Sequence, residues 1–195
     1  MSLAVLTSSH LFWITSRAAG TAALIVSSLA VVAGLATGAH WLRGEPGRDL
    51  RPVHETLSLA TLALLVVHGV TLLGDRFIGF SWAEIAIPFA SDYQRFWTGI
   101  GVLAFWALLA LGVAYYARGL IGVNRWRTLH RFTAVAWMAG IAHALAQGSD
   151  ARSGWFLVLT AVAVVPVLAL LAVRWHSRRA PRSPASSGAV ASLPR

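Results

Sequence analysis

The sequence predicts an all-α integral membrane protein of about five transmembrane helices, and three observations carry that expectation. Of its 195 residues, 57% are hydrophobic and only 12% charged, too few charges to solvate a water-soluble domain of this size. Five apolar stretches, at 18–39, 56–74, 96–117, 132–146 and 155–173, reach or approach the roughly 20 residues that a bilayer core requires. The 16 basic residues are all arginine, and they lie between these stretches instead of forming one soluble basic face, which argues against nucleic acid as a partner. The absence of cysteine excludes a disulfide framework, a thiolate zinc site and an iron–sulfur cluster.

The first stretch reads as a retained helix and not a signal peptide. No basic residue precedes its apolar start at 11–14, it is too long for a signal core, and no Ala-x-Ala site follows. The arginines then orient the bundle. Twelve of them fall in three segments on one side: Arg43, Arg48 and Arg51 after the first span; Arg118, Arg125, Arg127 and Arg131 before the fourth; Arg174, Arg178, Arg179, Arg182 and Arg195 after the fifth. The other side holds Arg17, Arg76, Arg95 and Arg152. The positive-inside rule places the N-terminus outside and the C-terminus in the cytoplasm. Trp13, Trp41, Trp82, Trp97, Trp126, Trp155 and Trp175 fall near span ends, as an interfacial belt should. Residues 76–93 are apolar and aromatic but interrupted by charge and Pro88, so they are expected to lie in the interface as a cap over the outer end. Residues 177–195, rich in Pro, Ser and Arg, are expected to be a disordered cytoplasmic tail, leaving 1–176 as the membrane domain.

Four of the seven histidines sit in two spans: His54 and His68 in the second, His130 and His143 in the fourth. Both spans run from inside to outside. At about 1.5 Å per residue the two members of each set are some 20 Å apart along their helix, so His54 is level with His130 and His68 with His143. Paired neutral imidazoles facing one another across a bundle are what an axially ligated b-type haem requires, and two levels imply two haems. No Cys-x-x-Cys-His is present for covalent attachment. One spacing is awkward. A step of 14 returns close to the same helix face, whereas a step of 13 lands about 140° away. Either Gly140 marks a distortion in the fourth span, or the two haems occupy different sectors around it. His10, His40 and His176 lie near span ends, where interface residency accounts for them.

These residues resemble the ferric reductase-like transmembrane domain. The resemblance rests on the double histidine spacing, in HETLSLATLALLVVHGV (54–70) and WRTLHRFTAVAWMAGIAHAL (126–145), with SRAAGTAAL (16–24) and GSD (148–150) in support. It covers about 16–171. It implies that His54 and His130 ligate an inner haem iron and His68 and His143 an outer one, and that the protein belongs to the cytoplasmic membrane. Family members with an attached FAD and NAD(P)H domain differ from this chain, so the resemblance implies a flavin carried by a separate partner. Family oxidases have a further histidine near the outer haem where this chain has Leu72, which argues against superoxide production.

Haem propionates seek charge-assisted partners. Arg17 and Arg95 stand at the outer level for this role, and Arg51, Arg127 and Arg131 at the inner, where service as topology determinants is an equal explanation. Arg17 is the most telling, since an outer arginine works against the orientation rule. The helix glycines, among them Gly20, Gly34, Gly101 and Gly140, serve either to admit the macrocycles or to let helices pack closely. Trp137 is better read as packing than as a bridge between haems. Asp75 and Asp150, each seven residues beyond an outer histidine, are better read as solvated loop acids than as an acceptor site. Together these features predict a cytochrome with two haem b groups, passing electrons between a cytoplasmic flavoprotein or quinol donor and an outside acceptor. The alternatives are a haem-binding membrane anchor or sensor, and a haem-free proton path lined by histidine.

Overall fold

The computed structural model describes residues 3–38 and 50–179. His40, Trp41, Arg43, Arg48, Arg182 and Arg195 lie outside the described residues, as does the tail from 180 onward. All regular structure among the described residues is helical. It comprises α1 (Leu3–Gly38), α2 (Arg51–Leu72), α3 (Trp82–Ala86), α4 (Arg95–Tyr116), α5 (Arg118–Ile121), α6 (Val123–His130), α7 (Thr133–Gln147) and α8 (Gly154–Arg179). Four of these are long and apolar enough to cross a membrane: His10–Thr37 within α1, all of α2 and α4, and Gly154–His176 within α8. The protein is a multi-pass membrane protein.

The helices depart from the expected stretches mainly at two ends. Helix α1 begins at Leu3, so Arg17 lies well inside a helix and not at its start; nothing in residues 3–16 is Gly or Pro, and the apolar run simply continues. Helix α8 stays helical through Arg179, three residues into the expected tail. The expected fourth span, 132–146, is helix α7 to within one residue at each end; its 15 residues, about 22 Å, are shorter than a bilayer core. It is separated from α6 by an irregular turn at Arg131 and Phe132, closed by short-range bonds from Arg131 N–H to the Thr128 carbonyl and from Phe132 N–H to the Leu129 carbonyl. Upstream, Gly122 at φ +92° joins α5 to α6 in a backbone conformation that a side chain would strain.

Helix α1 is the centre of the bundle. It packs most extensively on α2 and also meets α7 and α8, while α4 packs on α7 and, more sparingly, on α2. Small residues make these approaches possible: Ser16, Ala19, Ala23, Ser28, Ala30 and Ala33 of α1 are buried. Residues 76–93 form a wall against α4. Phe89 packs against Gly99, where an added methyl would lie 2.1 Å from its ring. Trp106, about 15 Å into α4, donates from Nε1 to the Ala86 carbonyl at 2.7 Å. Helix α3 in this segment carries a capping box: Ser81 Oγ accepts from Glu84 N–H, and Glu84 accepts from Ser81 N–H at 2.8 Å. Those bonds from the Ser81 backbone and hydroxyl hold the Glu84 carboxyl below its ordinary range.

Candidate functional site

The fold brings the four span histidines together as two pairs, His68 with His143 between α2 and α7, and His54 with His130 between α2 and the end of α6. The rings of His68 and His143 have centroids 6.4 Å apart, and those of His54 and His130 are 6.0 Å apart, both nearly perpendicular. We call the first pair the upper layer and the second the lower. On a straight helix, residues 130 and 143 would point about 140° apart. Neither explanation offered by the sequence holds. Gly140 sits in regular helix, and both histidines face α2, because the irregular turn immediately after His130 absorbs the angular mismatch.

Each of three histidines is held in the same local device. Nδ1 of His68 bonds the carbonyl of Ser16 at 2.9 Å, that of His54 the carbonyl of Ala30 at 2.8 Å, and that of His143 the carbonyl of Trp97 at 2.8 Å. Four residues beyond each carbonyl stands a glycine: Gly20, Gly34 and Gly101. An added Cβ there would meet the imidazole at 3.0, 3.0 and 2.6 Å respectively. The glycine removes the side chain that would shield a helical carbonyl, so the ring can reach it. A carbonyl only accepts, so Nδ1 carries the proton and Nε2 keeps the lone pair, the tautomer a metal ligand needs. Ser16 reinforces the upper layer by donating from Oγ to the His68 carbonyl at 3.0 Å. Sequence reasoning noted these glycines but missed their role. The signal was present: Gly20 and Gly34 are 14 residues apart on α1, matching His54 and His68 on the antiparallel α2.

His130 is different. Its Nδ1 is buried without a hydrogen-bond partner, and its ring lies against Trp126 at 5.2 Å, whose Nε1 is likewise buried and unpartnered.

The pairs suit an iron held between imidazoles. With a metal–nitrogen bond of about 2.0 Å and a ring centre about 1 Å further on, collinear ligation places the two centroids about 6 Å apart. Both observed separations fall there. No cluster of three or more His, Cys, Asp or Glu residues able to hold a bare metal ion exists among the described residues. Beside the upper layer lies a cavity of about 580 Å³, walled by residues such as Leu65, Val102, Phe105 and Trp137 and bordered by Gly20 and Gly101. That volume is in the range of cofactor sites. Trp137 is 2% exposed and donates from Nε1 to Ser28 Oγ at 3.3 Å, so it ties α7 to α1 while lining this cavity.

Neither loop acid is solvated as the sequence suggested. Asp75 is 2% exposed, and its Oδ1 accepts from Phe77 N–H at 2.9 Å; the chain turns tightly after α2 and folds over it. Asp150 forms an ion pair with Arg17, whose Nε donates to Oδ2 at 3.0 Å and whose guanidinium lies 4.3 Å from the Trp13 ring. Arg17 thus has a counter-charge within the chain. We expect Arg17→Gln to lower thermal stability in detergent by roughly 1 kcal/mol, because a half-buried carboxylate loses its partner. Arg17→Gln with Asp150→Asn should recover most of that loss in the same melting measurement. Arg95 is exposed and its Nε donates to the Phe89 carbonyl at 2.8 Å, holding the 76–93 wall; Arg131 is exposed in the turn between α6 and α7.

The chain matches the family model described as ferric reductase like transmembrane component over residues 19–141. The match includes His54, His68 and His130 and stops two residues before His143. No curated protein and no solved structure matches. With the matched stretch covering well over half of its length, the chain belongs to the ferric reductase-like transmembrane component family.

Proposed function

We propose that the protein is a cytochrome with two haem b groups that carries electrons across the cytoplasmic membrane, as the membrane subunit of an oxidoreductase. The observation that carries this reading is the pair of opposed histidines at each of two levels, with ring separations of 6.0 and 6.4 Å. His54 and His130 hold the lower, cytoplasmic-side haem, and His68 and His143 the upper, outer one. Bound haem supplies a one-electron iron couple at each level. The remaining work belongs to the chain. Three Nδ1–H groups bonded to helix carbonyls orient their rings and raise the basicity of Nε2. The 14-residue spacing on α2 sets the levels about 21 Å apart along that helix, within reach of both sides of the bilayer. Arg17, Arg95 and Arg131 are the cations assigned to propionates, with Arg17 sharing its charge with Asp150.

The test is a reduced-minus-oxidised spectrum of the purified full chain with haem quantified per polypeptide. We expect two low-spin b haems; a haem-free protein refutes the reading. Electrons are supplied by a cytoplasmic flavoprotein or a membrane quinol and leave to an outside acceptor. The purified chain should therefore oxidise no NAD(P)H until a flavoprotein is added, as followed by the loss of nicotinamide absorbance.

A further inference from the structure

Between α1 and α8, at the end of the bundle that holds the upper layer, runs a groove of about 440 Å³. It opens outward beside Ile14 and Trp155, which are 45% and 54% exposed. Its floor is a stripe of short side chains, Ala18 and Ala22, one helical turn apart on α1. Its head is polar: Arg17 and Asp150 stand there as an ion pair, with Thr21 one turn along from Arg17. Asp150 lies in the turn between α7 and α8, just before the membrane-crossing stretch Gly154–His176 begins. The head therefore sits at the level of lipid headgroups, and the floor runs toward the bilayer centre. Three polar atoms of the head are left over among the described residues. Arg17 donates from Nε and Nη2 to Asp150 Oδ2, which leaves Nη1 and Asp150 Oδ1 without a partner. Thr15, Thr61 and Thr71 each return their hydroxyl to the carbonyl four residues back, the usual recourse of a helical threonine, but Thr21 does not.

We propose that this groove is a phospholipid site that takes one lipid with a zwitterionic, ammonium-bearing headgroup. Charge complementarity selects it. The ion pair is neutral overall, so an anionic headgroup would set a second negative charge beside Asp150, whereas a zwitterion offers each member of the pair its opposite. The ammonium donates to Asp150 Oδ1, and the phosphate accepts from Arg17 Nη1 and Thr21 Oγ1. A trimethylated ammonium carries no N–H and forfeits the first of these bonds. One acyl chain lies along Ala18 and Ala22 toward Ile25, about 12 Å from Arg17 along the helix. A partner helix would cover the same floor, but its backbone groups are already bonded within it and would leave the polar head unmatched. Arg17, Thr21 and Asp150 also line the cavity beside the upper histidines. The bound headgroup thus seals the side of that cavity where α1 and α8 part.

The test uses the purified full chain in phosphatidylcholine vesicles that contain a small, fixed share of a second lipid brominated on its acyl chains, since bromine quenches a tryptophan it touches. The Trp155 signal is isolated by subtracting the fluorescence of the Trp155→Phe variant. We expect brominated phosphatidylethanolamine to quench Trp155 as though enriched about tenfold over its share of the bilayer, the worth of one charge-assisted hydrogen bond. Brominated phosphatidylglycerol should quench no more than its share. Ala22→Phe, which fills the floor, should bring the phosphatidylethanolamine value down to that share. Asp150→Asn should invert the preference, because Arg17 then stands without a counter-charge and favours the anionic lipid. Equal quenching by the two lipids in the unaltered chain, stronger quenching by phosphatidylglycerol, or an unchanged preference in Asp150→Asn overturns the proposal.

Discussion

Replacing His143 with Ala should strip one haem from the protein and leave the other in place, lowering the ratio from about two haems per chain to about one. The argument is geometric. His143 faces only His68, at 6.4 Å, and the lower pair stands about 20 Å away along α7 and α6. Each iron depends on its own level. His68→Ala should give the same spectrum, because α2 and α7 contribute one ligand apiece. The remaining haem must keep its low-spin signature and its potential in a redox titration. Selective loss of the lower haem from either variant would show that the pairing is wrong. Loss of both from each variant, with the helical circular dichroism unchanged, would show that the two levels do not bind independently.

Much of this arrangement was legible in the sequence, and the parts that were not have physical causes. Apolar run length identified the membrane-crossing helices, because burial in lipid constrains composition strongly. It placed α7 to within one residue at each end, but an apolar run does not reveal where backbone hydrogen bonding breaks; the turn after His130 contains neither Gly nor Pro. The histidine pairing was legible from level matching along parallel helices. The 13-residue step could not be resolved by periodicity, which assumes an unbroken helix, and the apparent suspect, Gly140, stands in regular α7 at the edge of the cavity. Arg17 was read as a partner for a propionate, whereas the chain itself supplies it with a carboxylate. Its partner in the chain, Asp150, is 133 residues away, a distance over which sequence spacing carries no information. Asp75 looked solvated because it follows a helix end, but the wall of residues 76–93 folds back and buries it. The second shell of the histidines was the largest omission. Backbone carbonyls leave no residue-type signature, and only the glycine four positions beyond each one marks the place.

That glycine provides the sharper test of the site. In Gly101→Ala, the new methyl would stand 2.6 Å from His143 Nδ1 and 2.7 Å from Cε1, closer than any ordinary contact. The imidazole must retreat by a sizeable fraction of an ångström. Its bond to the Trp97 carbonyl, now 2.8 Å, lengthens, and its distance to His68 changes with it. We expect the upper haem to bind about 10–100-fold more weakly, the range for losing the outer partner of a ligating histidine. Gly20→Ala should act on the same haem through His68 but more mildly, because its methyl would meet the ring at 3.0 Å and the neighbour can give by a few tenths. Gly119→Ala, in α5 and away from the cavity, is the control: an added Cβ meets nothing within 4 Å, so both haems and both potentials should be unchanged. Titrating haem into the apo forms of the three variants, with the upper and lower haems separated by potential, measures this order directly. If Gly101→Ala bound both haems as tightly as the unaltered chain, the glycine would only be a packing residue. The carbonyl bond at His143 would then have no part in holding the iron.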